Sequence, residues 1–133
     1  MNIWQTLPKP IFILAPMEDV TDTVFRRIVA SCARPDVFIT EFTNADGLAS
    51  EGRAVVSQRF KFTEEERPII AQLCGKKPES FYEAARLITE QKFDGIDINF
   101  GCPERSVVKN GCCAAMIGNE KAVTAIIDAV KRG

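Results

Sequence analysis

The sequence contains no histidine among its 133 residues. Within this chain, that absence excludes Ser-His-Asp and Cys-His catalysis and every metal site that needs a histidine ligand, so we expect no metal centre. A charge excess of one sign is also lacking, because 17 basic and 18 acidic residues leave a formal net charge of −1. The composition therefore does not indicate a basic nucleic-acid-binding module.

Long apolar runs and a secretory leader are missing as well. The longest apolar run lies at residues 11–17, far short of a bilayer span. The first four residues contain no basic segment that leads into a long apolar one. The five cysteines, an odd number at irregular spacing, fit poorly with a secreted disulfide scaffold. We therefore expect a reduced, cytoplasmic protein that does not contact a membrane.

The sequence has the composition of one globular domain, with 46% hydrophobic and 26% charged residues. Apolar segments predict strands at residues 11–17, 37–42, 68–73 and 95–101. Helical patterns alternate with these strands, so we predict an α/β protein of four consecutive βα units. Two architectures accept this pattern: an open doubly wound sheet, or part of a (β/α)8 barrel.

Helical spacing also predicts which helix faces are buried. On the first helix the expected inner stripe consists of Val24, Phe25, Ile28, Val29 and Cys32, with Arg26 and Arg27 on the other side. On the helix that follows the third strand, the stripe consists of Phe81, Ala84, Ala85 and Ile88. On the last helix it consists of Val123, Ile126, Ile127 and Val130.

The unusual residues of the sequence follow the predicted strands. They are Pro16 and Met17, Glu41, Gln72, and Asn99 with Cys102. The first strand is not followed by G-x-G-x-x-G, and there is no G-x-x-x-x-G-K-[ST] loop, so a glycine-rich nucleotide site is unsupported. Carboxyl ends of strands are where a barrel places its active site. A full barrel needs roughly 200 residues or more, so this chain supplies about half of one.

The densest motif is DINFGCP at residues 97–103, followed by VVKNGCCAAM at residues 107–116. Strand alternation places Ile96, Ile98 and Phe100 on the face toward the helices. Asp97 and Asn99 then point into the barrel, where Asn99 could hydrogen-bond a planar ligand near the mouth.

This motif resembles the signature of the tRNA-dihydrouridine synthases, flavoenzymes of the (β/α)8 class. The segments APMEDVTD at residues 15–22, ADGL at 45–48 and PIIAQL at 68–73 are similar to the family's other strand ends. The resemblance implies that residues 1–133 are the N-terminal half of an FMN-binding TIM-barrel catalytic domain. A further strand with a lysine, the remaining barrel units and a C-terminal helical domain would lie beyond this chain.

The resemblance also implies roles for individual residues. Pro16 and Met17 would lie against the flavin ring, and Gln72 would hydrogen-bond its polar edge. Asn99 would lie beside the flavin and the target uracil. Cys102 would give a proton to C5 of uridine in tRNA, while reduced FMN gives hydride to C6 and NADPH reduces the flavin again. A thiol suits the acid role because it stays mostly protonated at neutral pH.

Alternatives remain open at this point. The chain could belong to another FMN-dependent barrel reductase that acts on a free pyrimidine, or be a non-enzymatic half-barrel that binds RNA or protein. For Cys32, Cys74 and the Cys112–Cys113 pair we expect packing roles. Glu41 is equally well explained by a buried hydrogen bond or by catalysis, and for Asp97 we expect a structural role.

Overall fold

The computed structural model describes residues 3–133. Within these residues the strands are β1 (Ile13–Leu14), β2 (Val37–Ile39), β3 (Thr43–Asn44), β4 (Ile69–Cys74) and β5 (Gly95–Ile98). The α-helices are α1 (Ile3–Thr6), α2 (Thr23–Ala33), α3 (Ala45–Leu48), α4 (Arg53–Val56), α5 (Pro78–Glu90), α6 (Arg105–Lys109) and α7 (Glu120–Arg132). Short 3₁₀ turns lie at Ser57–Phe60, Glu64–Glu66 and Cys113–Met116. None of the helices in the described range is long and apolar enough to cross a membrane.

The strands form one parallel sheet, in which β2 and β3 follow each other along one edge of β4 and together count as one interrupted strand. β1 pairs with β2, β2 pairs with the first half of β4, and β5 pairs with the other edge of β4. A doubly wound sheet reverses its strand order at a switch point, whereas a barrel adds its strands in sequence. The prediction of an α/β fold with four βα units is confirmed, and the strand order is that of a partial (β/α)8 barrel.

The second predicted strand, residues 37–42, is interrupted in the structure. The register advances from Ile39 opposite Ile70 to Thr43 opposite Leu73, so β2 and β3 are joined by one residue more than β4 uses. The hydroxyl of Thr40 accepts the backbone N–H of Gln72 at 3.1 Å, in a position where a strand carbonyl would otherwise accept it. This local bulge separates β2 from β3.

The first and fourth strands are also shorter than predicted. β1 covers two residues of the predicted 11–17, because in the described part of the chain it pairs on one side only and Pro16 has no N–H to donate. β5 ends at Ile98, and the backbone then turns where the side chain of Asn99 accepts the N–H groups of Gly101 and Cys102.

The main core lies between the sheet and helices α5 and α7. The predicted stripe of α5 is confirmed, since Phe81, Ala84, Ala85 and Ile88 are all buried. On α7, Ile126 and Ala129 are buried, and Val123 and Val130 pack at the edge of the same core. From the sheet side, Ile96, Ile98 and Phe100 pack against this core, as strand alternation predicted. The opposite face of the sheet is therefore available to form the inner wall of the barrel.

The predicted inner stripe of α2 is wrong. Val24 and Ile28 are each 58% exposed and Cys32 is exposed, whereas Arg26 is completely buried. The physical reason is a buried ion pair: Nε of Arg26 lies 2.6 Å from Oε2 of Glu66 in the 3₁₀ turn Glu64–Glu66. α2 therefore docks on this turn through a charged contact rather than through its apolar stripe.

Candidate functional site

The candidate site lies at the carboxyl edge of β4 and β5. Gln72 on β4 and Asp97 on β5 are register partners, so their side chains project from the same face of the sheet. The ladder continues one step further, because the N–H of Asn99 donates to the carbonyl of Leu73 at 2.8 Å. This extra bond holds Asn99 next to Gln72 after β5 has formally ended.

Hydrogen bonds connect these side chains into a chain that ends at the cysteine loop. Nε2 of Gln72 donates to Oδ2 of Asp97 at 2.6 Å. Nδ2 of Asn99 donates to Oε1 of Gln72 at 3.3 Å. Oδ1 of Asn99 accepts the N–H of Gly101 at 3.1 Å and the N–H of Cys102 at 2.9 Å. We call the linked side chains of Asp97, Gln72 and Asn99 the polar chain.

The polar chain leaves Gln72 with one hydrogen-bond donor and one acceptor that are not used within it. An amide nitrogen carries two hydrogens and an amide oxygen two lone pairs, so one N–H and one lone pair of Gln72 remain. Gln72 is buried, at 7% exposed, so a group that binds there would be shielded from water. The chemistry of this donor set therefore matches a ring edge that presents a carbonyl oxygen beside an N–H.

Cys102 lies on the loop above β5 with its side chain half-buried. It packs beside a small cluster formed by Cys74, Cys112 and Cys113, all of which are buried. Burial raises the pKa of Cys74 to about 12 and that of Cys113 to about 11, so these two thiols stay protonated at neutral pH. Among the four sulfhydryl groups at this edge, Cys102 is the accessible one.

The loop that carries Cys102 is fixed on both sides. The carbonyl of Cys102 accepts the N–H of Ala114 at 3.3 Å. Immediately after Pro103, the carboxylate of Glu104 caps α6 by accepting the N–H groups of Ser106 at 2.7 Å and Val107 at 3.0 Å. A further hydrogen bond from the Ser106 hydroxyl lowers the pKa of Glu104, so this cap stays charged. The position of Cys102 is thus fixed through its backbone, while its side chain is half-buried.

Pro16 and Met17 lie on the loop after β1, which is separated from β4 by β2. The N–H of Met17 donates to the hydroxyl of Thr21 at 2.9 Å, and the same hydroxyl donates back to the Met17 carbonyl at 3.2 Å. Met17 is 42% exposed, so its side chain offers an apolar surface at the strand ends. Both hydrogen bonds lie within the loop, and neither joins it to the polar chain.

Glu41 supports the β1 loop. It is 5% exposed, and its Oε1 accepts the N–H of Asp19 at 2.6 Å. Of the two explanations open from the sequence, the structure therefore favours the buried hydrogen bond. Sequence reasoning missed the partners of this loop that lie far along the chain. Arg59 pairs with Glu18 at 2.5 Å. Closer in the sequence, the guanidinium of Arg26 donates to the Thr21 carbonyl at 2.6 Å.

Comparisons with known proteins agree on one family. The sequence model described as "Dihydrouridine synthase (Dus)" matches residues 13–133. A probable tRNA-dihydrouridine synthase of Staphylococcus epidermidis is 47% identical over 133 residues, covering 99% of this chain and 41% of the relative. A protein of the same description from Staphylococcus aureus is 47% identical, with 40% of the relative covered. A probable tRNA-dihydrouridine synthase 2 of Bacillus subtilis is 46% identical, with 41% covered. The chain thus spans about two fifths of the length of these relatives.

Proposed function

The chain belongs to the dihydrouridine synthase family, and from this premise we propose that residues 1–133 are the N-terminal part of the FMN-binding (β/α)8 catalytic domain of a tRNA-dihydrouridine synthase. The whole protein then reduces the C5=C6 bond of uridine in tRNA. Support comes from the names of the similar proteins and from the parallel strand order of the sheet.

One observation carries the proposal furthest. The polar chain brings Gln72, Asn99 and the backbone of Cys102 together at the carboxyl edge of β4 and β5. This edge is where a barrel binds its substrate. Residues from two different strand ends therefore place an amide pair next to the loop that carries a thiol, which suits binding of a planar imide and delivery of one proton.

We assign Cys102 the role of proton donor. Reduction adds one hydride and one proton across C5=C6, and NADPH is the ultimate source of the hydride. FMN, when bound, would be the source of the hydride at C6. Negative charge then builds at C5 and O4 of the uracil, and the thiol of Cys102 gives its proton to C5. The S–H bond breaks, the C5–H bond forms, and the thiolate regains a proton from solvent before the next turnover.

The other residues bind and orient. The free N–H and lone pair of Gln72 would hold the polar edge of the flavin, and Pro16 and Met17 would cover part of its ring. Asn99 places the Cys102 loop through its oxygen and retains one N–H for the uracil. Because uridine in folded tRNA is stacked, the substrate base has to leave the stack to reach this edge.

The proposal is tested by reconstitution with the whole protein, FMN, NADPH and tRNA that lacks dihydrouridine. We expect mass spectrometry of the digested tRNA to show a uridine that has gained two hydrogens. A matched reaction with free uracil and uridine separates this function from a reductase of free pyrimidines. Reduction of the free base without reduction of tRNA would contradict the proposal, and so would an inactive protein that binds neither FMN nor tRNA.

A further inference from the structure

The bond between Asp97 and Gln72 is the shortest link in the polar chain, at 2.6 Å between Nε2 and Oδ2. A hydrogen bond to a carboxylate is about twice as strong as one between neutral groups. By comparison, the bond from Asn99 to Gln72 is neutral and longer, at 3.3 Å. Asp97 therefore dominates the orientation of the Gln72 side chain.

A carboxylate also decides which way an amide points. An ionised aspartate accepts hydrogen bonds and donates none, so only the nitrogen of Gln72 can face it. The oxygen of Gln72 must then face Asn99. Asn99 donates to this oxygen from its nitrogen, because its own oxygen already accepts the N–H groups of Gly101 and Cys102. The Gln72 amide is thus oriented by Asp97 on its nitrogen side and by the anchored Asn99 on its oxygen side.

From this geometry we propose that Asp97 is a positioning residue for the proposed flavin site. It acts through Gln72, because it fixes which side of that amide presents the free N–H and which side presents the free lone pair. The resulting donor–acceptor pair suits an imide edge in one orientation only. This inference rests on the proposed function, and it assigns Asp97 a role that strand alternation alone left as structural.

The test compares FMN with 3-methyl-FMN, in which a methyl group replaces the imide hydrogen. The dissociation constants of both flavins are measured by fluorescence with the full-length protein. We expect the unmodified protein to prefer FMN by about tenfold or more, as a lost hydrogen bond to a buried site predicts. In Asp97→Asn the amide at position 97 can donate as well as accept, so only the longer, neutral bond from Asn99 still sets the direction of Gln72. FMN should then bind roughly tenfold more weakly and the preference should fall several-fold.

Two further variants separate positioning from simple stability. Asp97→Glu retains a group that only accepts, and it should recover most of the preference for FMN. Asp94→Asn is the matched control at the other end of β5, since Asp94 accepts the N–H of Ile69 at 2.8 Å and pairs with Arg67 at 3.0 Å. It should lower the melting temperature and leave the flavin preference unchanged. If Asp97→Asn does not fold, Asp97→Ser provides a second reading, because it also removes the group that only accepts.

The outcomes distinguish this inference from the proposed function. An unmodified protein that binds no FMN overturns the proposed function and the inference with it. An unmodified protein that prefers FMN, together with an Asp97→Asn variant that retains the full preference, overturns the inference alone. A parallel loss of preference in Asp94→Asn would also overturn it, because the effect would then follow general destabilisation.

Discussion

The buried pair of Arg26 and Glu66 offers the sharpest stability prediction in the chain. Both side chains are completely buried, and their charged atoms lie 2.6 Å apart. The guanidinium also donates to the carbonyls of Thr21 at 2.6 Å and Lys61 at 2.7 Å. The other carboxylate oxygen accepts from the Thr23 hydroxyl at 2.6 Å. One contact thus connects α2, the β1 loop and the segment before β4.

Removal of either partner leaves the other as an unpaired charge in the interior. Such a loss costs about 3–5 kcal/mol, which is a large fraction of the ~5–15 kcal/mol that stabilises a typical domain. We therefore expect Arg26→Leu and Glu66→Leu each to lower the free energy of unfolding by about 3–5 kcal/mol. The double variant has no buried charge, so its loss should fall below the sum of the single losses by at least ~2 kcal/mol.

Equilibrium urea unfolding of the four proteins, followed by circular dichroism, measures this coupling. Arg27→Leu is the matched control, because Arg27 is adjacent on α2 but half-exposed, 3.6 Å from an exposed Glu65. It should change the free energy of unfolding by less than about 1 kcal/mol. Single losses that add to within about 0.5 kcal/mol in the double variant would refute the reasoning.

Three further predictions concern thiols and flavin. At neutral pH a thiol reagent should label Cys32 and Cys102 while Cys74, Cys112 and Cys113 react only after unfolding; peptide mass spectrometry checks this, and rapid labelling of Cys74 would contradict it. Since burial raises the pKa of Cys74 from 9.0 to about 12, its contribution to stability is complete below pH 9 and is lost as pH rises toward 12. When the free energy of unfolding is measured in urea at pH 9–11, Cys74→Ala should make its dependence on pH shallower by up to about 1.4 kcal/mol per pH unit. An unchanged dependence on pH would contradict this expectation. The 133-residue chain alone should bind FMN weakly or not at all and show no turnover, because barrels hold flavin phosphate on loops after strands 7–8; a stoichiometrically yellow preparation would overturn this.

The periodicity of apolar residues predicted the features of the fold that depend on residues close together in the sequence. The stripe of α5 is buried because apolar residues at helical spacing share one face, and the sheet provides a matching apolar surface. Alternation along β5 likewise separated Ile96 and Ile98 from Asp97 and Asn99. The opposition of Gln72 and Asp97 then follows from the register of two parallel strands.

The failures have long-range causes. The partner of Arg26 is Glu66, forty residues later, and the helical periodicity of α2 does not indicate that a charged residue faces inward. Similarly, the bulge after β2 depends on the hydroxyl of Thr40 meeting the backbone of Gln72 on another strand. The direction of the Gln72 amide is set in the same way, by a carboxylate that is 25 residues away. Such contacts become visible only once the strands are placed side by side.

Proton transfer from Cys102 is tested by measuring the two half-reactions separately. In the whole protein, Cys102→Ala is compared with Cys32→Ala, which changes an exposed thiol on α2. Stopped-flow absorbance follows flavin reduction by NADPH and, separately, flavin reoxidation by tRNA. We expect Cys102→Ala to slow reoxidation by tRNA about a hundredfold or more and to leave flavin reduction unchanged, while Cys32→Ala should alter neither rate. Equal slowing of both half-reactions, or reoxidation at the unmodified rate, would contradict it.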